Sequence, residues 1–318
     1  MRDLVLGSRG SDLALWQSEH ICTLLRAAHP DLTISIEIIK TLGDKILDAP
    51  LSKIGDKGLF TKELERALLD GKIDLAVHSL KDIPTVLPQG CSIGAVTERE
   101  DPSDVFIAHP SEPITSIADL PTGSSVATGS LRRRSQLLAQ RPDISVIDIR
   151  GNLNTRMKKL EESDWSGMLL ARAGVKRLGW EERISEVIPF SFMLPAVGQG
   201  ALGIEIREGD AELLNLLSTV HHFPTASAVR AERAFLRRLE GGCQIPIGTH
   251  ATVAGSILRL DAFIGSLDGK RTLRSSASGS TDGPEQLGVQ LAEQMLDLGG
   301  REILDEIRTG EEGHDHPL

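Results

Sequence analysis

The chain has 318 residues, with Asp+Glu 45 against Lys+Arg 35 and a formal net charge of −10. At roughly 100–200 residues per domain this predicts two or three domains rather than one small core. Hydrophobic residues at 40% and charged residues at 25% exclude wholesale disorder. The acidic balance argues against a general nucleic-acid binder, and 3% aromatics with no Tyr leave no base-stacking platform. No stretch approaches the ~20 apolar residues of a membrane span, and no apolar signal core follows Met1. The three cysteines, Cys22, Cys91 and Cys243, are odd in number and form no CxxC pair. That argues against a disulfide framework or a cysteine zinc site, so a cytoplasmic, metal-free protein is expected.

In chain order, Leu4–Gly7 reads as a short strand. Ser11–His29 carries Leu13, Trp16, Ile21, Leu24, Leu25 and Ala28 at helical spacing, with Pro30 beyond. Thr33–Lys40 reads as a strand, Leu59–Leu69 as a helix and Ile73–Val77 as a buried strand. Ser125–Ala127, Ile144–Ile149 and Met168–Leu170 are further strands, separated by helices over 131–140 and through Met157 and Leu160. This alternation predicts an α/β fold of two doubly wound lobes, with parallel sheets covered by helices. The last third differs. A helix over Ala226–Leu239 ends at Gly241-Gly242. Strands follow at His250–Val253, Ile257–Ile264 and Lys270–Ser276, with a hairpin signal at Asp268-Gly269. A helix over Pro284–Leu298 and a frayed polar tail from Gly310 complete a small α+β domain. Linkers at Glu98–Pro102 and Pro189–Gly200 imply two crossings between the lobes. The expected domains are 1–98 with 200–218, then 99–199, then 219–318 carrying Cys243. A ligand cleft is expected between the two lobes.

Charge sharpens the expectation. Residues 128–160 hold eight basic side chains against Asp143 and Asp148, a net +6 that leaves −16 for the rest. Arg132 and Arg133 open a helix after the Thr128-Gly129-Ser130 turn, where they oppose the macrodipole, so helix stability is a poor reason for them. Backbone N–H groups of that first turn would add to an anion site. Arg150 follows the next strand, and Arg156 lies one to two turns on. Ser8-Arg9-Gly10-Ser11 repeats the strand-to-loop placement in the first lobe. Such arginines suit planar carboxylate or phosphate recognition. The competing reading is a solvated helix face for Arg132–Arg134.

His78-Ser79-Leu80-Lys81-Asp82 follows a strand and faces the same crevice. Asp82 could stabilise a cationic intermediate or form a loop ion pair, and His78 reads as a structural hydrogen-bonder. There is no GxSxG elbow, and Gly55-Asp56-Lys57-Gly58 is no Walker loop. Lys53 and Lys57 lie in a Gly-containing loop that could cover an anion. His221-His222, His314 and His316 lack metal-ligand company. Cys243, in Glu240-Gly241-Gly242-Cys243-Gln244, sits in a loop that two glycines open to close approach. It could be a covalent attachment point or a structural thiol.

Together these segments resemble the hydroxymethylbilane synthase, or porphobilinogen deaminase, family from about Leu4 to Arg308. The matching blocks begin with Ser8–Ser11, Leu13–Gln17, Gly43-Asp44 and Gly58–Glu65. They continue with Ala76–Pro84, Glu98–Pro102, Gly129–Arg133, Arg150–Asn152, Leu194–Gly200 and Glu240–Gln244. The resemblance implies two α/β lobes like type II solute-binding proteins and a C-terminal α+β domain. It implies an enzyme that joins four porphobilinogen units into linear hydroxymethylbilane, releasing four ammonias, on a covalent dipyrromethane primer. By the same resemblance Cys243 would carry the dipyrromethane as a thioether and Asp82 would be the catalytic carboxylate. Ser11, Lys81, Thr128, Ser130, Arg132, Arg133, Arg150 and Gln199 would hold the cofactor. Arg9, Gln17, Arg150, Arg156, Arg177, Lys53 and Lys57 would hold substrate. Gly129 stands where the family often has a hydroxyl residue, Arg134 extends the Arg pair, and Arg172 replaces a small or aliphatic residue. The expected partner is small-molecule porphobilinogen, with no nucleic acid, no membrane and a monomeric state. The rival readings are a non-catalytic two-lobed anion-binding module and a degenerate regulatory homologue.

Overall fold

The structure, a computed structural model, describes residues 3–45, 58–239 and 245–312. The first lobe is built on a five-stranded sheet of order β2-β1-β3-β10-β4. Its strands are β1 (Leu4–Ser8), β2 (Ile34–Ile38), β3 (Leu75–Ser79), β4 (Cys91–Val96) and β10 (Leu202–Arg207). Alternation along the strands sorts the side chains. Leu4, Leu6, Leu75, Val77, Ile204 and Ile206 face a core with helix α1 (Asp12–Ala28). Val5 and Ala76 face the other side, against the next long helix, α3 (Lys62–Leu69), which follows the short α2 (Leu42–Lys45).

The second lobe repeats the plan with order β7-β6-β8-β5-β9. Its strands are β5 (Asp104–Ala108), β6 (Ser125–Ala127), β7 (Ser145–Ile147), β8 (Gly167–Ala171) and β9 (Glu186–Val187). Helix α4 (Leu131–Gln140) contributes Leu137 to the core on one face. Helices α5 (Leu153–Glu161) and α6 (Arg172–Arg177) contribute Met157, Leu160 and Val175 to the other.

Both sheets are mixed, where the sequence rhythm predicts parallel ones. β10 runs antiparallel to β3 and β4, and β5 antiparallel to β8 and β9. Each of these strands begins just after the chain crosses from the other lobe, so it enters its sheet from the opposite end to a strand delivered by a βα unit.

After α7 (Ala211–Leu217), α8 (Phe223–Arg238) leads into the C-terminal domain. There β11 (Ile247–Ala254), β12 (Ile257–Gly265) and β13 (Thr272–Ser280) form an antiparallel meander. Gly269 takes φ +71 in the expected hairpin turn. One core joins this sheet to α8, α9 (Pro284–Met295) and α10 (Arg301–Glu312). Gly299, at φ +103, ends the predicted helix and redirects the chain into α10, which continues to Glu312 and so into the tail that the sequence marks as frayed.

The three parts meet at Glu232 of α8, which is fully buried. Its carboxylate accepts from Arg99 Nη1 at 2.7 Å, Gly198 N at 2.7 Å and Ala251 N at 2.8 Å. Both crossing segments are thus tied to the C-terminal domain behind the cleft.

Candidate active site

β3 leads out of the sheet directly into a single 3-10 turn, Leu80–Asp82. Buried Leu80 and Ile83 anchor it, and Leu80 N donates to Ala201 O at 3.0 Å. Space for these anchors exists because Gly198 and Gly203 lack side chains. A Cβ at Gly203 would lie 2.7 Å from both, and Gly198 takes φ +72. With Leu80 and Ile83 held inward, Asp82 is left exposed on the cleft wall.

Asp82, Ser79 and Leu13 border two adjoining cavities, of about 380 and 550 Å³. The smaller lies in the first lobe and includes Arg9, Ser11, Gln17, Phe60 and His78. Arg9 places its guanidinium 4.2 Å over the Phe60 ring. Ser11 Oγ caps α1 at Ala14 N, and Gln17 Nε2 donates to Ser79 Oγ at 2.8 Å. The larger lies between the lobes and brings together Lys81, Arg133, Arg156, Arg177 and Gln199. Among the described residues, Asp82 is the only carboxylate on either wall.

Burial pushes the Lys81 ammonium down to about 8, Asp82 opposing and Arg133 adding. Its Nζ reaches Gln199 Oε1 at 3.4 Å. Burial likewise lowers Arg156 and Arg177 to about 10. Arg156 Nε donates to Gly151 O at 2.8 Å. Arg177 Nη2 donates to Gly200 O at 2.7 Å, and its guanidinium lies 5.7 Å over the Trp16 ring of the opposite lobe.

Asp104, not singled out from sequence, organises the base of the larger cavity. Its buried carboxylate accepts from Arg132 Nη1 at 2.6 Å, Arg133 Nη2 at 2.8 Å and Gln199 Nε2 at 2.9 Å. Burial pushes this carboxyl up, but Arg132 and Arg133 overcome it and hold Asp104 well below the usual carboxylate range. The two arginines at the start of α4 are thus neither a solvated face nor two free cations. They share one buried anion, which offsets their unfavourable place at the helix N-terminus.

Of the residues expected at the ligand, Arg132 does not border these cavities. It is buried, spans Asp104 and Leu194 O at 2.5 Å, and leaves only Nε without a partner. Thr128 and Ser130 serve the turn. Thr128 Oγ1 accepts from Ser130 N at 3.2 Å, and Ser130 Oγ from Arg133 N at 3.5 Å. Gly129 packs so that a Cβ would sit 2.5 Å from Ile149 O, leaving no room for a hydroxyl residue. Arg150 also lies off the cavity walls, with Nη1 buried and lacking an acceptor among the described residues. Arg172 pairs with Asp101 in the crossing segment. Cys243, Lys53 and Lys57 lie outside the described residues.

A cleft between two α/β lobes, cationic on its walls and bearing one exposed carboxylate, defines a protein that receives an anionic ligand between its lobes. Residues 4–215 match the family model described as "Porphobilinogen deaminase, dipyromethane cofactor binding domain", and residues 226–297 match "Porphobilinogen deaminase, C-terminal domain". The porphobilinogen deaminase of Carboxydothermus hydrogenoformans is 52% identical over 307 residues, covering 96% of this chain and 98% of that one. That of Chloroherpeton thalassium is 54% identical, covering 96% and 98%. Among solved structures, the periplasmic aliphatic sulphonate binding protein SsuA from Escherichia coli is similar at TM-score 0.39 and 16% identity, covering 76% of this chain and 71% of that one. The chain belongs to the porphobilinogen deaminase family.

The residues present fit the family's dipyrromethane. Each of its two rings carries an acetate and a propionate. The larger cavity offers Lys81, Arg133, Arg156 and Arg177 and, among the described residues, no competing carboxylate but Asp82.

Proposed function

We propose that this chain joins four porphobilinogen units into linear hydroxymethylbilane, releasing four ammonias, on a dipyrromethane held as a thioether by Cys243. The observation that carries this is Asp82, the single carboxylate among the described residues, set among cations on both cavity walls. Arg9 and Gln17 in the smaller cavity, and Lys81, Arg133, Arg156 and Arg177 in the larger, hold acetate and propionate groups by charge-assisted bonds. When bound, the dipyrromethane supplies the free pyrrole carbon from which the chain begins. Asp82 stabilises the positive charge left on a substrate ring as its ammonia departs, and accepts pyrrole N–H bonds. Gln199 fixes Lys81 beside it, and Asp104 fixes Arg133. Arg132 is a buried brace rather than a ligand contact.

The chain's domains are 1–98 with 200–218, 99–199 and 219–318. It works as a cytoplasmic monomer without nucleic acid. Buried, unpaired Cys22 and Cys91 support a reducing compartment, and the net charge of −10 argues against a polyanion partner. No helix among the described residues is long and apolar enough to cross a membrane.

Intact mass under denaturing conditions, followed by peptide mapping, tests the proposal. The expected result is a dipyrromethane excess on the Cys243 peptide, absent in Cys243→Ser, and one ammonia released per porphobilinogen consumed. A bare mass that stays bare after incubation with porphobilinogen would overturn it.

A further inference from the structure

The α3 face of the first lobe's sheet holds a group of titratable side chains with no part in the scheme above. Strand alternation puts His78 on this face with Ala76, and Glu205 between Ile204 and Ile206, which face the other way. β3 and β10 pair with Gly203 opposite His78 and Glu205 opposite Ala76, so the two side chains lie on adjacent strands. His78 Nε2 and Glu205 Oε2 are 3.0 Å apart, with side chains 3% and 0% exposed. Among the described residues, neither His78 Nε2 nor either Glu205 oxygen has an in-line hydrogen-bond partner, and the Cys91 thiol lies close enough for Glu205 to act on it as an acceptor.

Among the described residues, no lysine or arginine forms a salt bridge with Glu205. Glu65 comes from α3 and is itself buried. Burial pushes its carboxyl up, and the Glu205 charge adds to the rise. Cys91, from β4, is pushed up to about 12 by burial and by the same two carboxylates, so it stays a protonated thiol. Lys62, Arg207 and Arg233 act on the group at longer range. Arg207 is bound to Asp74 and to the Leu68 and Ile73 carbonyls, and Arg233 to the Ile83 and Pro84 carbonyls. A fully buried carboxylate left without a counter-charge costs several kcal/mol. The side chain 3.0 Å from the Glu205 carboxylate is His78, which also lines the smaller cavity with Asp82.

We infer that Glu205 is a positioning residue that holds the His78 imidazole at the back of the cavity that Asp82 borders. One ring nitrogen of a histidine fixed by a carboxylate sets the orientation of the other. His78 thereby becomes a fixed dipole or charge facing the place where charge changes during the reaction. This inference rests on Asp82 as the reacting carboxylate.

The test is steady-state turnover of porphobilinogen by Glu205→Gln, His78→Asn, the double variant and Asp82→Asn, each purified with its cofactor. Glu205→Gln is close to isosteric and removes a buried charge, so its melting temperature stays at or above that of the parent. The expected result is a kcat lower by roughly tenfold or more in Glu205→Gln and His78→Asn, with KM changed less than about threefold. The double variant falls no further than the worse single one, because the two act as a unit. Glu205→Asp, which keeps the carboxylate, recovers part of kcat. Unchanged kcat in Glu205→Gln and His78→Asn overturns the inference, as does a loss that follows thermal stability alone. If Glu205→Gln does not fold, His78→Asn decides by the same kcat and KM criteria. Full turnover in Asp82→Asn would instead overturn the role of Asp82, whatever the other variants do.

Discussion

Replacing Asp104 by asparagine removes the anion shared by Arg132 and Arg133, whose side chains are 5% and 6% exposed. Two guanidiniums then lie buried beside a neutral amide that can accept only part of what the carboxylate accepted. Breaking a buried pair from one side costs about 3–5 kcal/mol. The amide oxygen retains one bond, so about 3 kcal/mol is expected. At roughly 2–4 °C per kcal/mol for a chain of this size, the second lobe should melt about 6–12 °C lower. The acid side gives a second signature. Asp104 is held below its ordinary range in the folded state. Its contribution is therefore complete above the unfolded value, about 3.9, and is lost as pH falls toward the folded one. Below about pH 4 the parent should lose stability more steeply than Asp104→Asn. Calorimetric melts across that range measure both effects. A variant within about 1 kcal/mol of the parent, with the same acid slope, would refute the shared-anion account.

Three further outcomes follow from the site. Asp82→Ala should fold and melt as the parent does, because Asp82 is exposed, yet lose turnover by at least about a hundredfold; near-normal ammonia release would remove Asp82 from the chemistry. Lys81, pushed down to about 8, loses its charge as pH rises through that value. The KM for porphobilinogen should therefore climb above pH 8, and Lys81→Arg should flatten that climb; identical profiles would exclude Lys81 as a carboxylate ligand. Gly198→Ala places a Cβ 3.2 Å from Leu80 at φ +72. It should cost about 1–3 kcal/mol in denaturant unfolding and lower turnover, since Leu80 anchors the Asp82 turn; unchanged unfolding would show that the turn tolerates a side chain there.

Elements with a clear period were legible in the sequence. The helix predicted from Ser11 occurs as Asp12–Ala28 with Ser11 as its cap, and the strand and helix over 125–127 and 131–140 occur at those residues. The less legible strands were those that join the lobes. β5 and β10 are short, follow crossing segments and are buried on both faces, so their apolar runs carry no alternation to tell strand from core helix. Their antiparallel direction depends on where the chain re-enters a sheet, which no local pattern encodes. The helix over Arg301–Glu312 was hidden for another reason. It buries Ile303, Leu304 and Ile307 on one face of an otherwise charged segment, beyond Gly299-Gly300, which reads as a stop.

The site divides in the same way. Asp82, Lys81 and Arg9 follow strand ends, and strand ends in such sheets face the crevice, so their placement could be read locally, whereas Gln17, inside α1, was placed by the family resemblance alone. The arginine cluster could not, because its charge balance is spatial. Counted along the chain, residues 128–160 have a net charge of +6. In space, Arg132 and Arg133 are held by Asp104 from another strand, and Arg141 by Asp143 together with the Ile117 and Leu120 carbonyls. Lys158 pairs with Glu162 on an exposed helix face. Of the eight basic residues, Arg133 and Arg156 border the cavities, and the second lobe adds Arg177 from outside the cluster. The one available clue to Asp104 was an acid at the head of the apolar run Val105-Phe106-Ile107, directly after a linker. A carboxylate carried into a core by such a run needs a cation there, and the nearest unexplained cations were the arginines at the start of α4.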